Sequence, residues 1–381
     1  MAKKFLKHAF SLLLVFCVLG GLATAAAIPI GNESVLCVSG FTNYGITLAP
    51  TSALQASTRA SNIDYSELKL YVGGIPFGVK FMTEGVIVTE ITNVKTQNGS
   101  KSPAKDAGLK ANDVILKING EAVADSTHIS QVAENSNGQP IKIVYSRNGK
   151  QQTTTLNPVY CTDEGKYKTG MFVRDSGAGI GTVTYIDPQT LSFGGLGHGI
   201  CDSQTGRLIS MQRGSVVGVT INGVVKGLSG APGEVSGYFS SGKNGALLKN
   251  TDCGVFGAFA TLPQGFSGEL MSVGTRREIT SGKAYILSTL DGTTPQKYEI
   301  EISNIQTEST SNKCYTVKVT EPARIEKTGG IIQGMSGSPI IQNGKLVGAV
   351  THVLINDPTT GYGIFIENML NAAQMPMAKA S

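Results

Sequence analysis

From residue 67 onward the chain is built of short apolar–polar alternations broken by glycine. Leu68, Leu70 and Val72 alternate, and Gly85–Ile91 forms a second strand-like run. Gly181–Ile186, Val216–Ile221, Ala284–Thr289 and Tyr315–Val319 repeat the pattern with turn residues between them. A period of two over four to eight residues predicts half-buried strands. Helical signals are few. Pro103–Ala107, closed by Gly108, reads as a short helix, and Asp125–Glu134 as a longer one. The chain is therefore expected to be mainly β, with about a dozen strands after residue 158.

The N-terminus departs from this pattern. Lys3, Lys4 and Lys7 precede an apolar run from Ala9 through Ala27, ending in small-x-small steps such as Ala23-Thr24-Ala25. A basic start, an apolar stretch and small residues predict export across a membrane, with residues 1–27 a cleaved signal peptide or a retained anchor. Residues 28–66, rich in Ser, Thr and Ala, read as a linker.

Composition agrees with a Gly-rich, turn-rich body: 48 glycines, 15% charged residues and no tryptophan in 381 residues. The net charge of +5 is small and its lysines are scattered, which argues against a nucleic-acid partner. Of the six cysteines, Cys17 falls in the apolar segment and the other five are widely spaced without a CxxC pair. No metal or other cofactor is expected, and no disulfide pairing follows from the spacing.

The chemistry concentrates in Gly334-Met335-Ser336-Gly337-Ser338-Pro339. Glycines on both sides of Ser336 allow a sharp turn that exposes the hydroxyl and aims the amides of Gly334 and Ser336 at one point, the requirements of a nucleophile with an oxyanion hole. A strand, an Asn343-Gly344 turn and a second strand follow. This resembles the nucleophile region of trypsin-like serine proteases rather than a strand–GxSxG–helix elbow. A serine needs a base, and this half of the chain offers His198, in Gly197-His198-Gly199, and His352, in Thr351-His352-Val353. His198 lies 138 residues before Ser336, in the trypsin-like order, and is the expected base. Thr351 and His352 are expected to line the substrate cleft. Met335 stands where the pancreatic enzymes carry an aspartate, so activation by a freed N-terminus is excluded.

Residues 102–120, with Ser102-Pro103-Ala104, Ala107-Gly108-Leu109 and Asn112-Asp113-Val114-Ile115, resemble the PDZ domains of bacterial proteases. The resemblance places a PDZ domain at 67–157. It implies a carboxylate-binding loop at Phe77, Gly78 and Val79, which would take a chain terminus or an extended peptide, its own chain included. His128 reads as a helix-start residue or a reader of a ligand hydroxyl.

Arg174–Thr182, the segment around His198, Thr328–Pro339 and Val350–Pro358 resemble the SpoIVB sporulation signalling peptidases, as does the order membrane segment, PDZ, peptidase. The resemblance implies a trypsin-like double β-barrel over 158–381, with Ser336 and His198 in catalysis. It also implies an exported protein of the space between the two membranes around a developing spore. There the family cleaves itself and a membrane-bound regulator of an intramembrane protease, releasing a late sigma factor. Its acidic residue falls on Glu321, in Val319-Thr320-Glu321-Pro322, where the family has aspartate. Asp252, Asp291 or a serine–histidine dyad are the alternatives. A non-catalytic PDZ adaptor with a degenerate barrel is the competing reading, while an HtrA-like protease would carry its PDZ after the catalytic domain.

Overall fold

The computed structural model describes residues 27–30, 33–36, 65, 67–202, 206–263 and 266–374. The expected signal or anchor and most of the linker lie outside them. Among the described residues no helix is long and apolar enough to cross a membrane.

The N-terminal half contains β1 (Lys69–Val72), β2 (Pro76–Ile91), α1 (Pro103–Asp106), β3 (Val114–Ile118), α2 (Ser126–Asn135), β4 (Ile141–Arg147) and β5 (Lys150–Leu156). Then follow β6 (Met171–Ile186), β7 (Ser192–Gly195), β8 (Met211–Val225), β9 (Gly245–Thr251) and β10 (Gly254–Phe259). The C-terminal half has β11 (Gly282–Ser288), β12 (Gln296–Ser303), β13 (Tyr315–Val319), α3 (Pro322–Thr328), β14 (Pro339–Gln342), β15 (Lys345–Leu354), β16 (Asp357–Phe365) and α4 (Ile366–Gln374).

Two antiparallel rings close. The first runs β2-β8-β9-β10-β7-β6 and returns to β2, and the second runs β15-β14-β11-β12-β13-β16 and returns to β15. Closure removes sheet edges and leaves two barrels with separate cores. Phe77, Val183, Phe193 and Val216 fill the first, while Ile286, Ile300, Val317 and Ile364 fill the second. The expected Asn343-Gly344 turn takes positive φ at both positions, the type I′ geometry, and Asn148-Gly149 does the same. Val35 and Leu36 of the Glu33–Leu36 strand pair with Leu354 and Val353 of β15.

The PDZ unit is spliced into a barrel strand. Phe77, Val79 and Phe81 point into the first barrel, whereas Val86 and Val88 of the same strand join Ile115, Ile118, Ile141 and Ile143 in a third core. The inward positions change from odd to even because Gly85 sits at φ +77°, which resets the strand's phase. Within the span expected for the PDZ domain, Leu70 and Val72 thus join the second barrel's core and Ile75, Phe77, Val79 and Phe81 the first, while the residues from Val86 onward build the third core. Phe77, Gly78 and Val79 are accordingly not an open ligand loop. They pair with Gly181, Ile180 and Gly179 on one edge and with Gly218, Val217 and Val216 on the other. With both edges taken and Phe77 against Phe193, no backbone donor there is free to receive a carboxylate. His128 stays at the helix start, its Nδ1 accepting the Ala124 amide at 3.3 Å and its own amide capped by Asp125.

Within the PDZ core, the Arg147 Nε and Nη2 donate to Asp113 at 2.7 and 2.6 Å, and the Lys110 amide donates to the same carboxylate. The Asp113 side chain is 1% exposed. Asp113→Ala removes the acceptor of the Lys110 amide and of Arg147 Nε, while Arg147 Nη2 keeps the Gly108 carbonyl, and is expected to cost about 1–3 kcal/mol. Urea unfolding followed by far-UV dichroism checks this, and a loss below about 1 kcal/mol would contradict it.

Candidate active site

His198 reaches the barrel interface through a strained corner. After β7, Leu196 and Gly197 both adopt left-handed backbone, φ +64° and +67°. For leucine this costs about 1–2 kcal/mol. The corner is held by the Leu196 amide, which donates to the Thr182 carbonyl at 3.2 Å. His198 is 1% exposed. Its Nδ1 lies 2.8 Å from the Gly199 carbonyl, and its buried Nε2 has no hydrogen-bond partner among the described residues. A carbonyl only accepts, so Nδ1 carries the proton and Nε2 presents the lone pair.

Ser336 comes from the other barrel, on the turn before β14. Gly337, at φ +92°, must be glycine, because a Cβ there would lie 2.0 Å from the Thr182 carbonyl oxygen. The Ser336 hydroxyl donates to the Thr351 carbonyl at 2.8 Å. The turn's amides divide into two groups. Those of Met335, Gly337 and Ser338 donate to Ile332, Val350 and Met335, while those of Gly334 and Ser336 have no acceptor among the described residues. Thr351, on β15, donates its own hydroxyl to the Asn312 and Tyr362 carbonyls. Next to it the His352 ring lies 4.9 Å from that of His198.

The structure thus brings Ser336, His198, Thr351 and His352 together between the barrels. It does not bring Glu321 to them. Glu321 caps α3, and its Oε2 accepts the Glu299 amide at 3.2 Å, closing the end of the β12–β13 pairing. Among the described residues no carboxylate hydrogen-bonds to His198; the Gly199 carbonyl occupies the position an acidic residue would take. Asp252 and Asp291 are exposed. The Asp252 loop is nonetheless near, since its carbonyl accepts from Asn312, whose own carbonyl receives the Thr351 hydroxyl.

Sequence reasoning missed the supports of the turn. Thr182 donates its hydroxyl to the Gly334 carbonyl at 2.7 Å and its amide to the Ser336 carbonyl at 3.0 Å. Thr184 donates to Gly337 at 2.8 Å. Behind Met335 lies Arg324, 2% exposed, its guanidinium 3.4 Å above the Tyr298 ring. Burial lowers the Arg324 pKa to about 10, against the opposing effects of Tyr298 and Glu321, so it stays charged at neutral pH. The Arg174–Thr182 run carried the family resemblance, but nothing in its spacing marked Thr182 as a partner of residues 150 positions away.

Fold and site together define a peptidase-type pair of barrels carrying a PDZ unit. A family model described as SpoIVB peptidase S55 matches residues 165–370, and one for the PDZ domain matches 69–157. The chain belongs to the SpoIVB peptidase S55 family. Among curated proteins it is similar to the Serine protease Do-like HtrA of Lactococcus lactis, 37% identical over 100 residues, covering 26% of this chain and 21% of that protein. It is also similar to the Zinc metalloprotease RasP of Geobacillus kaustophilus, 35% identical over 63 residues, covering 16% and 15%. The chain spans less than a third of the length of the curated relatives it matches. Among solved structures, the PDZ domain of an SdrC-like protein from Listeria monocytogenes matches at 25% identity and a TM-score of 0.20, covering 24% of this chain and 87% of that one.

Burial lowers the pKa of His198, opposed in part by the Gly199 carbonyl. It lowers that of His352 further, with His198 and Lys313 adding to the effect. Both rings are therefore neutral at pH 7. Below pH about 6.5 the unfolded chain takes up protons that the native chain refuses, so stability is full above that pH. It falls as pH drops toward the depressed native values, by up to about 1.4 kcal/mol per pH unit for each histidine. Urea unfolding between pH 7.5 and 5.5 is expected to show a shallower decline for His352→Gln than for the wild type. Equal slopes would show that His352 protonates alike in both states.

Proposed function

We propose that this chain is an exported serine endopeptidase regulated through its PDZ unit. The observation that carries this reading is His198 Nε2: buried, in the basic tautomer, without a partner among the described residues, and in the same interface as a serine beside two amides that have no acceptor among them. The Ser336 hydroxyl leaves the Thr351 carbonyl, turns to His198 Nε2, and attacks the substrate carbonyl as His198 takes its proton. The amides of Gly334 and Ser336 receive the alkoxide, a contribution on the order of 3 kcal/mol per donor. His198 then protonates the departing amine, and water repeats the sequence on the acyl-enzyme. The Gly199 carbonyl orients the imidazole throughout. Being uncharged, it stabilises the imidazolium less than a carboxylate would.

By family resemblance, the substrates are the chain itself and a membrane-bound regulator of an intramembrane protease, cleaved in the space between the two membranes around a developing spore. The N-terminal segment would hold or deliver it there. The adaptor reading draws on one observation, that the Ser336 hydroxyl is engaged with Thr351 rather than with His198.

Fluorophosphonate labelling and self-cleavage of the full chain separate the two readings. Ser336→Ala is expected to abolish both. Thr182→Val, which removes the hydroxyl under Gly334, is expected to slow labelling by about tenfold or more. Glu321→Ala is expected to keep labelling within about threefold of wild type, because the Gly199 carbonyl orients the base; a loss of a hundredfold or more would assign that task to Glu321. Absence of any labelling in the wild type would favour the adaptor.

A further inference from the structure

In a PDZ domain an extended peptide adds to a sheet edge and is held by main-chain hydrogen bonds. Here one edge of the Val86–Ile91 portion of β2 pairs with β3, Val86 opposite Ile115 and Ile87 opposite Val114. The other edge is filled from within the chain. Met171, Phe172, Val173 and Arg174 of β6 lie antiparallel opposite Ile91, Glu90, Val88 and Ile87.

The same segment runs the length of α2. Lys166 Nζ pairs with Glu134 in the last turn of that helix at 3.2 Å, and Tyr167 packs over Gly138 just beyond it. At the other end the Asp175 carboxylate accepts the Ser126 amide at 2.7 Å, and the Asp175 carbonyl accepts the Thr83 hydroxyl at 3.1 Å. Burial pushes the Asp175 carboxyl up, but the Ser126 amide and the Ser126 and Ser176 hydroxyls outweigh it and hold the group below its usual range. A carboxylate thus closes the groove where the amides of a helix N-terminus favour an anion. The ladder has register shifts at Phe172/Val173 and Arg174/Ser176, and Phe172 is 59% exposed. Residues 171–174 are thereby marked off from the mostly buried remainder of β6.

We propose that residues 166–175 are an internal ligand of the PDZ groove, with Asp175 as its terminal carboxylate, and that an extended peptide ending in a carboxylate competes with them for the Val86–Ile91 edge. The proposal rests on the PDZ assignment and not on the chemistry of Ser336. Beyond the bulge the same strand reaches Thr182, which holds the Gly334–Ser336 turn, so groove and nucleophile share one element.

The probe is a fluorescent synthetic peptide copying residues 166–175 with a free C-terminal carboxylate, titrated against the full chain. Filling in cis lowers apparent affinity by the fraction of chains that are open. Asp175→Asn, which weakens the internal ligand, is therefore expected to bind the probe at least tenfold more tightly than wild type. A Glu90→Cys/Phe172→Cys pair, directly opposite in register, is expected to oxidise and then to bind at least tenfold more weakly than its own reduced form. An amidated probe ending in asparagine is expected to bind at least tenfold more weakly than the acidic one. The proposal is overturned if the pair does not oxidise, if oxidised and reduced forms bind alike, or if Asp175→Asn binds no more tightly. Equal binding of the two probes overturns the carboxylate assignment. Fluorophosphonate labelling of the same samples reports Ser336 separately, so failure here is distinguishable from failure of the peptidase reading.

Discussion

Thr182 is the residue on which the two barrels agree. It lies on a strand of the first barrel, yet it donates its hydroxyl to Gly334 and its amide to Ser336 in the second, and its carbonyl receives the amide of Leu196. One residue therefore sets both the turn that carries the serine and the corner that carries the histidine. The requirement for glycine at 337 has the same origin, since any side chain there would collide with the Thr182 carbonyl. Buried hydrogen bonds of this kind are costly to leave unmade, which gives the interface a single well-defined arrangement.

The arrangement also explains how a histidine without a carboxylate partner keeps the basic tautomer. Tautomer choice needs only an acceptor at Nδ1, and a backbone carbonyl supplies one at fixed geometry. What a carbonyl lacks is charge. The contact therefore orients the ring without offering a charge, and burial keeps the ring neutral.

Much of this was legible beforehand. The β-rich class, the Asn343-Gly344 turn and the two helices of the PDZ unit followed from local pattern and family resemblance. The ligand loop at Phe77–Val79 and the placing of Glu321 beside His198 are not what the structure shows. Phe77–Val79 reads locally like a loop entering a PDZ strand, but its neighbours on both edges are 100 or more residues distant in the chain. Glu321 matches by position, yet α3 begins at the next residue and turns its carboxylate onto the Glu299 amide.

By itself the sequence determined what depends on neighbours along the chain: strand alternation, turn type, helix starts, and a glycine-flanked serine able to adopt its sharp turn. Tertiary structure alone decided which edges are filled, which amides remain unspent and which acceptor faces His198. Those outcomes depend on pairing between distant segments, and a strand's own residues do not specify what lies against its edge. The PDZ edge makes the point most directly, for it is occupied by a strand some eighty residues further along the same chain.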